Sequence, residues 1–387
     1  MATEWMSKHG GLSTLNRELC CALAKTGCRI VCVVPVTGPT EVEQARQAHV
    51  ELVEARAESG ADEMSGLYRK LRLPDGFFPD VVVGHGRITG PAARAQVQDS
   101  FTSAIRLHFV HMAPGEIEWF KGKDDAAAAA EKREKLERDL AQDAGIIVAI
   151  GPRLNREVGN LLAGLGHHPP IHRLEPGFTS TPKRVPPPAL HCLILGRAED
   201  LELKGLDIGT LALAQVVSCG MNFQSPPELI VRGAPCGTGT KLRNELLSLP
   251  GVGDLSIRVR EYTDDAEAIE SDLRRASLLL MPSRREGFGL VALEALEMGT
   301  PMLVSNKSGI GELLKESLGD SDAQQYVVDT VDDRVKAAAS WAKEIEFVLR
   351  DRDAAFARAR TLAERLANTL SWDSAVSLLI GAIKNVQ

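Results

Sequence analysis

Short apolar runs rich in Val and Ile alternate with segments of helical period along most of the chain. In "LSTLNRELCCALAKTG", Leu15, Leu19, Ala22 and Leu23 share one helical face, and Gly27 is placed to end the helix. "RIVCVVPV" follows at once, a continuous apolar run of the kind buried on both faces of a parallel sheet. "PDVVVGHG" (Pro79 to Gly86) predicts a second strand and "AIRLHFVHM" (Ala104 to Met112) a third. A helix of mixed charge, from about Asp124 to Asp143, leads into "GIIVAIG". Strands and helices in this alternation predict an α/β doubly wound domain. The first helix begins near Ser13, so "MATEWM" leaves room only for the stub of a preceding strand. The first strand is therefore expected to be short or missing, as in a module of a longer polypeptide.

The alternation breaks at "TPKRVPPPA" (Thr181 to Ala189), where four prolines rule out a helix or a central strand. It resumes with "HCLILGR", "ELIVRG", "SIRVREY", "SLLLMPS" and "PMLVSN", each read as a strand with helices between. The expected organisation is an amino-terminal Rossmann-like domain over 1–180, a linker over 181–189 and a second Rossmann-like domain over 190–370. A last helix over 371–387 is expected to cross back to the first domain. Two such domains face a cleft, and ligands of open parallel sheets bind beyond the carboxyl ends of the strands.

A chain of 387 residues with 44% apolar content exceeds one ordinary core and suits two domains. The net charge of -7 argues against general nucleic-acid binding. The seven cysteines are scattered without a C-x-x-C pair, which predicts reduced thiols and no disulfide framework. No apolar run approaches the ~20 residues that span a bilayer, and "MATEWMSKHGG" lacks the apolar core of a signal peptide. A cytoplasmic location without a transmembrane segment is the expectation.

The densest chemistry lies in "SRREGFGLVALEALEMG" (Ser283 to Gly299). A strand ends before it, and a helix of good formers follows Glu286-Gly287-Phe288-Gly289. The first amides of a helix lack intrahelical partners and sit at the positive end of its dipole. Glycines let a ligand approach, so a diphosphate can rest on the amides of Phe288, Gly289 and Leu290. Side chains lean toward the helix N-terminus, which directs Glu294 toward ribose hydroxyls of such a ligand. Glu286 then reaches the group on the far phosphate. A capped surface helix with two solvated glutamates explains this stretch alone equally well. "LILGRAEDLELKG" adds Arg197 at a strand end and Lys204 opening the next helix, where both cations would face the same diphosphate.

With these motifs the chain resembles the retaining glycosyltransferases of the GT-B fold, in the large family 4. The resemblance covers nearly the whole chain. Its most specific element is the E-x7-E pattern of Glu286 and Glu294 within "PSRREGFGLVALEALEMGTPML"; the Arg197/Lys204 pair and Gly10-Gly11-Leu12 before a helix also match. "SWDSAVSLLIGAIKN" resembles the family's last helix. The resemblance implies that Glu286 contacts the donor sugar, Glu294 contacts the ribose, and Arg197 and Lys204 stabilise the departing diphosphate without a metal. It implies that Gly11 admits backbone amides to the reaction centre and that His111 stands near the transferred sugar. The chain departs from the pattern at Glu261, where glycine is common, and at "MLVSNKSGIGELL".

His108 and His111, three apart on a strand, face opposite sides and cannot share a metal; a structural role for His111 is the competing reading. His85 and Trp119 are expected on the acceptor side, although Trp119 beside Phe120 also fits core packing. Tyr262 and Thr263 lie where a nucleotide base would meet the chain. "GHGRITG" and "GTGTK" lack the spacing of nucleotide-binding loops. The sequence therefore predicts a metal-independent hexosyltransferase that takes a nucleotide diphosphate sugar (UDP or GDP) and an unknown acceptor, with no cofactor. A nucleotide-sugar epimerase and a non-catalytic nucleotide-sugar-binding module are the alternatives.

Overall fold

The computed structural model describes residues 1–6, 11–120, 125–179, 183–199, 201–219, 223 and 225–386. The chain forms two compact units. One comprises Met1–Glu118, Asp124–Gly177 and Ser371–Gln387; the other comprises Trp119–Lys123 and Phe178–Leu370.

In the first unit, β1 (Ile30–Val34) pairs in parallel with β2 (Val50–Glu54). A second parallel sheet has the order β3 (Val81–His85), β4 (Ile105–Val110), β5 (Ile146–Ile150) and β6 (Ile171–Leu174). The amino-terminal residues join the two sheets. The Met1 amino group donates to Val83 O at 2.9 Å, and Ala2 N–H donates to Val33 O at 3.0 Å. Ala2 and Trp5 are buried in the core beside Cys20, Cys32 and Val34. The first helix is Gly11–Lys25, two residues longer at its start than the sequence pattern predicts. Two strands of this unit were not read from the pattern. β2, VELVE, carries two glutamates among three apolar residues, and β6, IHRL, is a four-residue run next to prolines.

The second unit holds one parallel sheet in the order β12-β11-β10-β7-β8-β9. Its strands are β7 (His191–Leu195), β8 (Glu228–Ala234), β9 (Ser256–Glu261), β10 (Leu278–Met281), β11 (Met302–Ser305) and β12 (Val327–Val328). The chain builds outward from β7 through β8 to β9, then returns to the other side of β7 as β10. Strand direction of growth therefore reverses between β7 and β10, the point at which open α/β sheets bind ligands. β10 is buried at all four positions and β7 at its three central ones, as central strands covered on both faces must be. Leu190, Cys192, Ile194, Leu278, Leu280 and Leu303 share a core with Trp341 of the Arg334–Arg350 helix, whose indole N–H donates to Thr330. The proline-rich stretch packs on this unit: Arg184 donates to Met298 O and to Thr300 Oγ1, and Arg352 donates to Pro187 O. Thr181 and Pro182 lie outside the described residues.

Near the carboxyl terminus an 18-residue window reaches a mean hydropathy of 1.2. It is split by the break between helices Arg352–Ala367 and Trp372–Lys384. The second of these has 13 residues, a length of about 20 Å against the ~30 Å of a hydrocarbon core. It packs against the first helix and β6, with Ala375, Val376 and Leu379 buried. Among the described residues every strand lies in a parallel ladder, as in Rossmann-like sheets.

Candidate active site

The loops beyond β7 and β10 bring Lys204 and Glu286 together. Gly196 and Arg197 follow β7 directly, and Arg197 is exposed. Lys204 sits two residues before the helix Leu206–Ser218, and Glu286 lies in the loop after β10. Lys204 Nζ is 2.5 Å from Glu286 Oε2, and Ser283 Oγ is 3.4 Å from the same oxygen. Both partners retain some exposure, 21% for the Lys204 side chain and 12% for Glu286. A cation suited to phosphate and an acid suited to hydroxyl groups therefore pair with each other.

Two local devices hold this pair in register. Gly205 adopts φ +66°, and a Cβ there would lie 2.0 Å from Pro282 O. Only glycine allows the turn before the helix to approach the end of β10 so closely. Arg284, 6% exposed, then ties the two loops together. Its guanidinium bonds both carboxylate oxygens of Asp207 at 2.8 Å and Glu202 O at 2.6 Å, while its backbone N–H donates to Leu203 O. The sequence reading missed Arg284 and Asp207. Nothing local marks them, since an arginine beside a second arginine reads as surface charge.

The acidic turn is braced from β11. Glu286 N–H donates to Lys307 O, Ile310 N–H donates to Phe288 O, and Glu286 forms a parallel bridge with Ser308. Gly287, Phe288 and Gly289 are buried. Gly289 caps the helix Leu290–Glu297 at φ +100°, with Met281 Cε only 2.6 Å from where a Cβ would stand. Leu290 opens the helix, and Glu294 is half-buried in its second turn. Tyr262 and Thr263 follow β9, two strands from β7; Tyr262 N–H donates to Ala234 O.

In the first unit, Gly11 is exposed at the start of the first helix, and Gly10 lies outside the described residues. His111 follows β4. Its Nε2 lies 2.9 Å from His85 Nδ1, and His85 Nε2 lies 2.9 Å from Asn16 Oδ1. Desolvation draws the His111 pKa down to about 3, helped by nearby His108; desolvation and then His111 hold His85 well below the ordinary range. His85 is fully buried, so the expectation that it lines an acceptor surface is corrected. His85 at the end of β3 packs inward against Phe109 and His111, which leaves it a supporting role. His108 points elsewhere, to Glu137 at 2.8 Å. Trp119 is 63% exposed. Among the described residues, no group of three or more metal-ligating side chains converges.

The model of the family described as "Family 4 Glycosyltransferase in conflict systems" matches residues 1–379. The chain belongs to this family. The family 4 glycosyltransferase resembles a D-inositol 3-phosphate glycosyltransferase of Salinispora tropica, 32% identical over 158 residues, 39% of this chain and 30% of the relative. A protein of the same name from Geodermatophilus obscurus is 29% identical over 218 residues, 55% of this chain and 44% of the relative. These matches span less than half of the curated relatives' length. Among solved structures, a sucrose-phosphate synthase from Thermosynechococcus elongatus superposes with a TM-score of 0.68 at 20% identity, covering 97% of this chain and 93% of the other. Anabaena HepE, solved with UDP and glucose, gives 0.67 at 14% identity and covers 98% of both. These superpositions establish the GT-B fold of the family 4 glycosyltransferase.

Proposed function

We propose that the protein transfers a hexose from a nucleoside diphosphate sugar to an acceptor, with retention at the anomeric carbon and without a metal. The Lys204–Glu286 pair at the β7/β10 reversal carries the reading. The donor diphosphate takes Lys204 and Arg197, and the first amides of the Leu290–Glu297 helix share its charge. Glu286, released from Lys204, accepts hydrogen bonds from sugar hydroxyls, and Glu294 accepts them from ribose. In the transfer, the anomeric carbon's bond to phosphate breaks while an acceptor oxygen bonds to that carbon. The electron pair leaves with the nucleoside diphosphate, where the two cations and the helix amides stabilise it. The acceptor proton passes to the departing phosphate oxygen. Retention and the sugar role of Glu286 rest on the E-x7-E resemblance.

Calorimetric titration with UDP and GDP, with and without a chelator, tests the reading. One of them should bind equally well in both conditions. Loss of binding on chelation, or failure of both nucleotides to bind, would overturn it. Product analysis with the sugar form of the nucleotide that binds then separates transfer from epimerisation, which changes the donor and needs no acceptor.

A further inference from the structure

The sheet of the second unit has two unlike faces. Cys192, Ile194, Leu229, Val231 and Ile257 face the core that holds Trp341. Successive side chains of a strand point to opposite faces, so the residues between them face the other way. In register, these are His191 with Glu228, Leu193 with Ile230 and Arg258, and Arg232 with Arg260. The second face is therefore apolar at the middle of β7 and β8 and basic on β9, the edge strand. Arg275 ends the helix Ala266–Arg275, and Ala276 follows it. A recess of about 200 Å³ lies between these two residues and the sheet face.

Basic charge is in excess around this recess. Arg232 Nε lies 2.6 Å from Asp272 Oδ2, and Arg260 donates to the other oxygen of the same carboxylate. Arg258 lies 3.2 Å from Glu228, and His191 lies 3.5 Å from that glutamate. Arg275 is exposed, lines the recess and has no ion-pair partner among the described residues. Four guanidiniums thus meet two carboxylates. Desolvation and then the charges of Arg232, Arg258 and Arg275 lower the Arg260 pKa. Desolvation, with Arg258, Arg260 and Arg275 acting against Glu228, lowers that of His191. Fastening the helix to the sheet needs only the two pairs at Asp272, and Arg275 adds charge beyond that need.

We propose that this recess is a second anion site, which binds the phosphate group of a small phosphate monoester between Arg260 and Arg275. A monoester carries about -1.5 to -2 at pH 7, which matches the excess of two positive charges. Guanidinium forks bind phosphate oxygens bidentately. Leu193, Ile230 and Ala276, all buried, line the recess and give the organic part of the ester an apolar surface. The site is separate from the Lys204–Glu286 pair. That pair lies in loops beyond the carboxyl ends of β7 and β10. The recess lies on the sheet face and reaches His191, which opens β7 about 13 Å along the strand from Leu195.

Arginine 15Nε resonances of the full-length protein test the site, with phenyl phosphate as the probe at about 0.15 M salt, where loose surface attraction is screened beyond ~8 Å. The Arg260 and Arg275 signals should shift to saturation. Inorganic phosphate should move the same signals with weaker affinity, because it leaves the apolar lining uncovered. Equal affinity for the two probes overturns the monoester assignment, and shifts that disappear at this salt concentration overturn the site.

Two variants locate the probe. Arg275→Gln removes an exposed charge from the last helical position and keeps the Asp272 pairs, so the fold is not at risk. It should bind phenyl phosphate about tenfold more weakly or worse, the loss of one charge-assisted hydrogen bond. Lys204→Ala should bind the probe as the wild type does. The reverse pattern, with Lys204→Ala weakened and Arg275→Gln unchanged, would mean that the probe occupies the donor site, and it overturns the proposal. Wild-type affinity in both variants overturns it as well. Neither arm requires UDP or GDP to bind, so failure of the transfer reading and failure of this site are distinguishable.

Discussion

Glu286 and Glu294 stand seven residues apart but face different tasks, and their substitutions should fail differently. Glu286 is paired with Lys204 in the free protein. Glu286→Gln removes the competitor for Lys204, so bare nucleoside diphosphate should bind as well as before or more tightly. Affinity for the sugar donor should fall, by about 1–3 kcal/mol, the range for a charge-assisted hydrogen bond. Glu294→Gln should weaken nucleoside diphosphate and sugar donor together, since both carry ribose. Calorimetry with both ligands on each variant decides; equal losses for Glu286→Gln, or no loss for Glu294→Gln, would remove their assigned roles. His85, buried, and His111, half-buried, make a second prediction, in acid. His85 and His111 have folded pKa values below the ordinary 6.5, His111 at about 3. Between those limits the unfolded chain binds more protons than the folded one, so stability is present above about pH 6.5 and is lost as pH falls toward 3. Each ring neutral when folded and charged when unfolded contributes a slope of about 1.4 kcal/mol per pH unit. Urea midpoints between pH 6.5 and 5, above the range where most carboxylates titrate, should decline in the wild type and decline less in His111→Phe. Parallel curves for the two proteins would mean that His111 is charged in the folded state.

At the scale of elements, the glycine before the Leu206–Ser218 helix sets the site more than any charged side chain does. Gly205→Ala must hold a β-carbon at φ +66° and against Pro282 O. The dihedral alone costs about 1–3 kcal/mol, and the overlap with backbone adds to it. Denaturant unfolding should show that loss, and nucleoside diphosphate affinity should fall with it because Lys204 moves away from the end of β10. Stability and affinity both near wild type would mean that this turn does not position Lys204. The same turn shows what a linear reading of the chain reaches. β7 and β10 are legible because a strand covered on both faces must be apolar throughout, and "HCLILGR" and "SLLLMPS" are. The turn at 287–289 is legible because glycines between a buried strand and a run of good helix formers have a local signature. β2 escaped because VELVE carries two glutamates and reads as polar. Arg284 with Asp207, 77 residues apart, and Asn16 with His85, 69 apart, escaped for a deeper reason. A buried polar side chain is defined by its partner, and the partner is chosen by the fold.

At the scale of the whole molecule, the chain leaves its first unit at Gly177 and re-enters it at Ser371. The re-entering helix, Trp372–Lys384, is a component of the first unit's core. A Cβ on Gly177 would lie 2.1 Å from Trp372 N, so the two crossing points of the chain touch backbone to backbone. Val376 and Leu379 are buried at 0% and 1% exposure, with Ala375 beside them. Full burial of a Val or Leu side chain is worth about 1.5–3 kcal/mol, so removing residues 371–387 should cost the first unit about 3–6 kcal/mol. That is a large share of the ~5–15 kcal/mol that holds a typical domain. The second unit's sheet, its Leu206–Ser218 and Leu290–Glu297 helices and the Lys204–Glu286 pair receive no residue from this segment. Hydrogen exchange on the truncated protein should therefore show lost protection in Gly11–Lys25 and β6, the elements on which the last helix packs, with β7, β10 and the two donor-side helices still protected. Nucleoside diphosphate should still bind, and transfer should be lost, because His111 and its supports belong to the destabilised unit. Uniform loss of protection across both units would show instead that they unfold as one cooperative body, and intact transfer would show that the last helix is dispensable to the unit that holds His111.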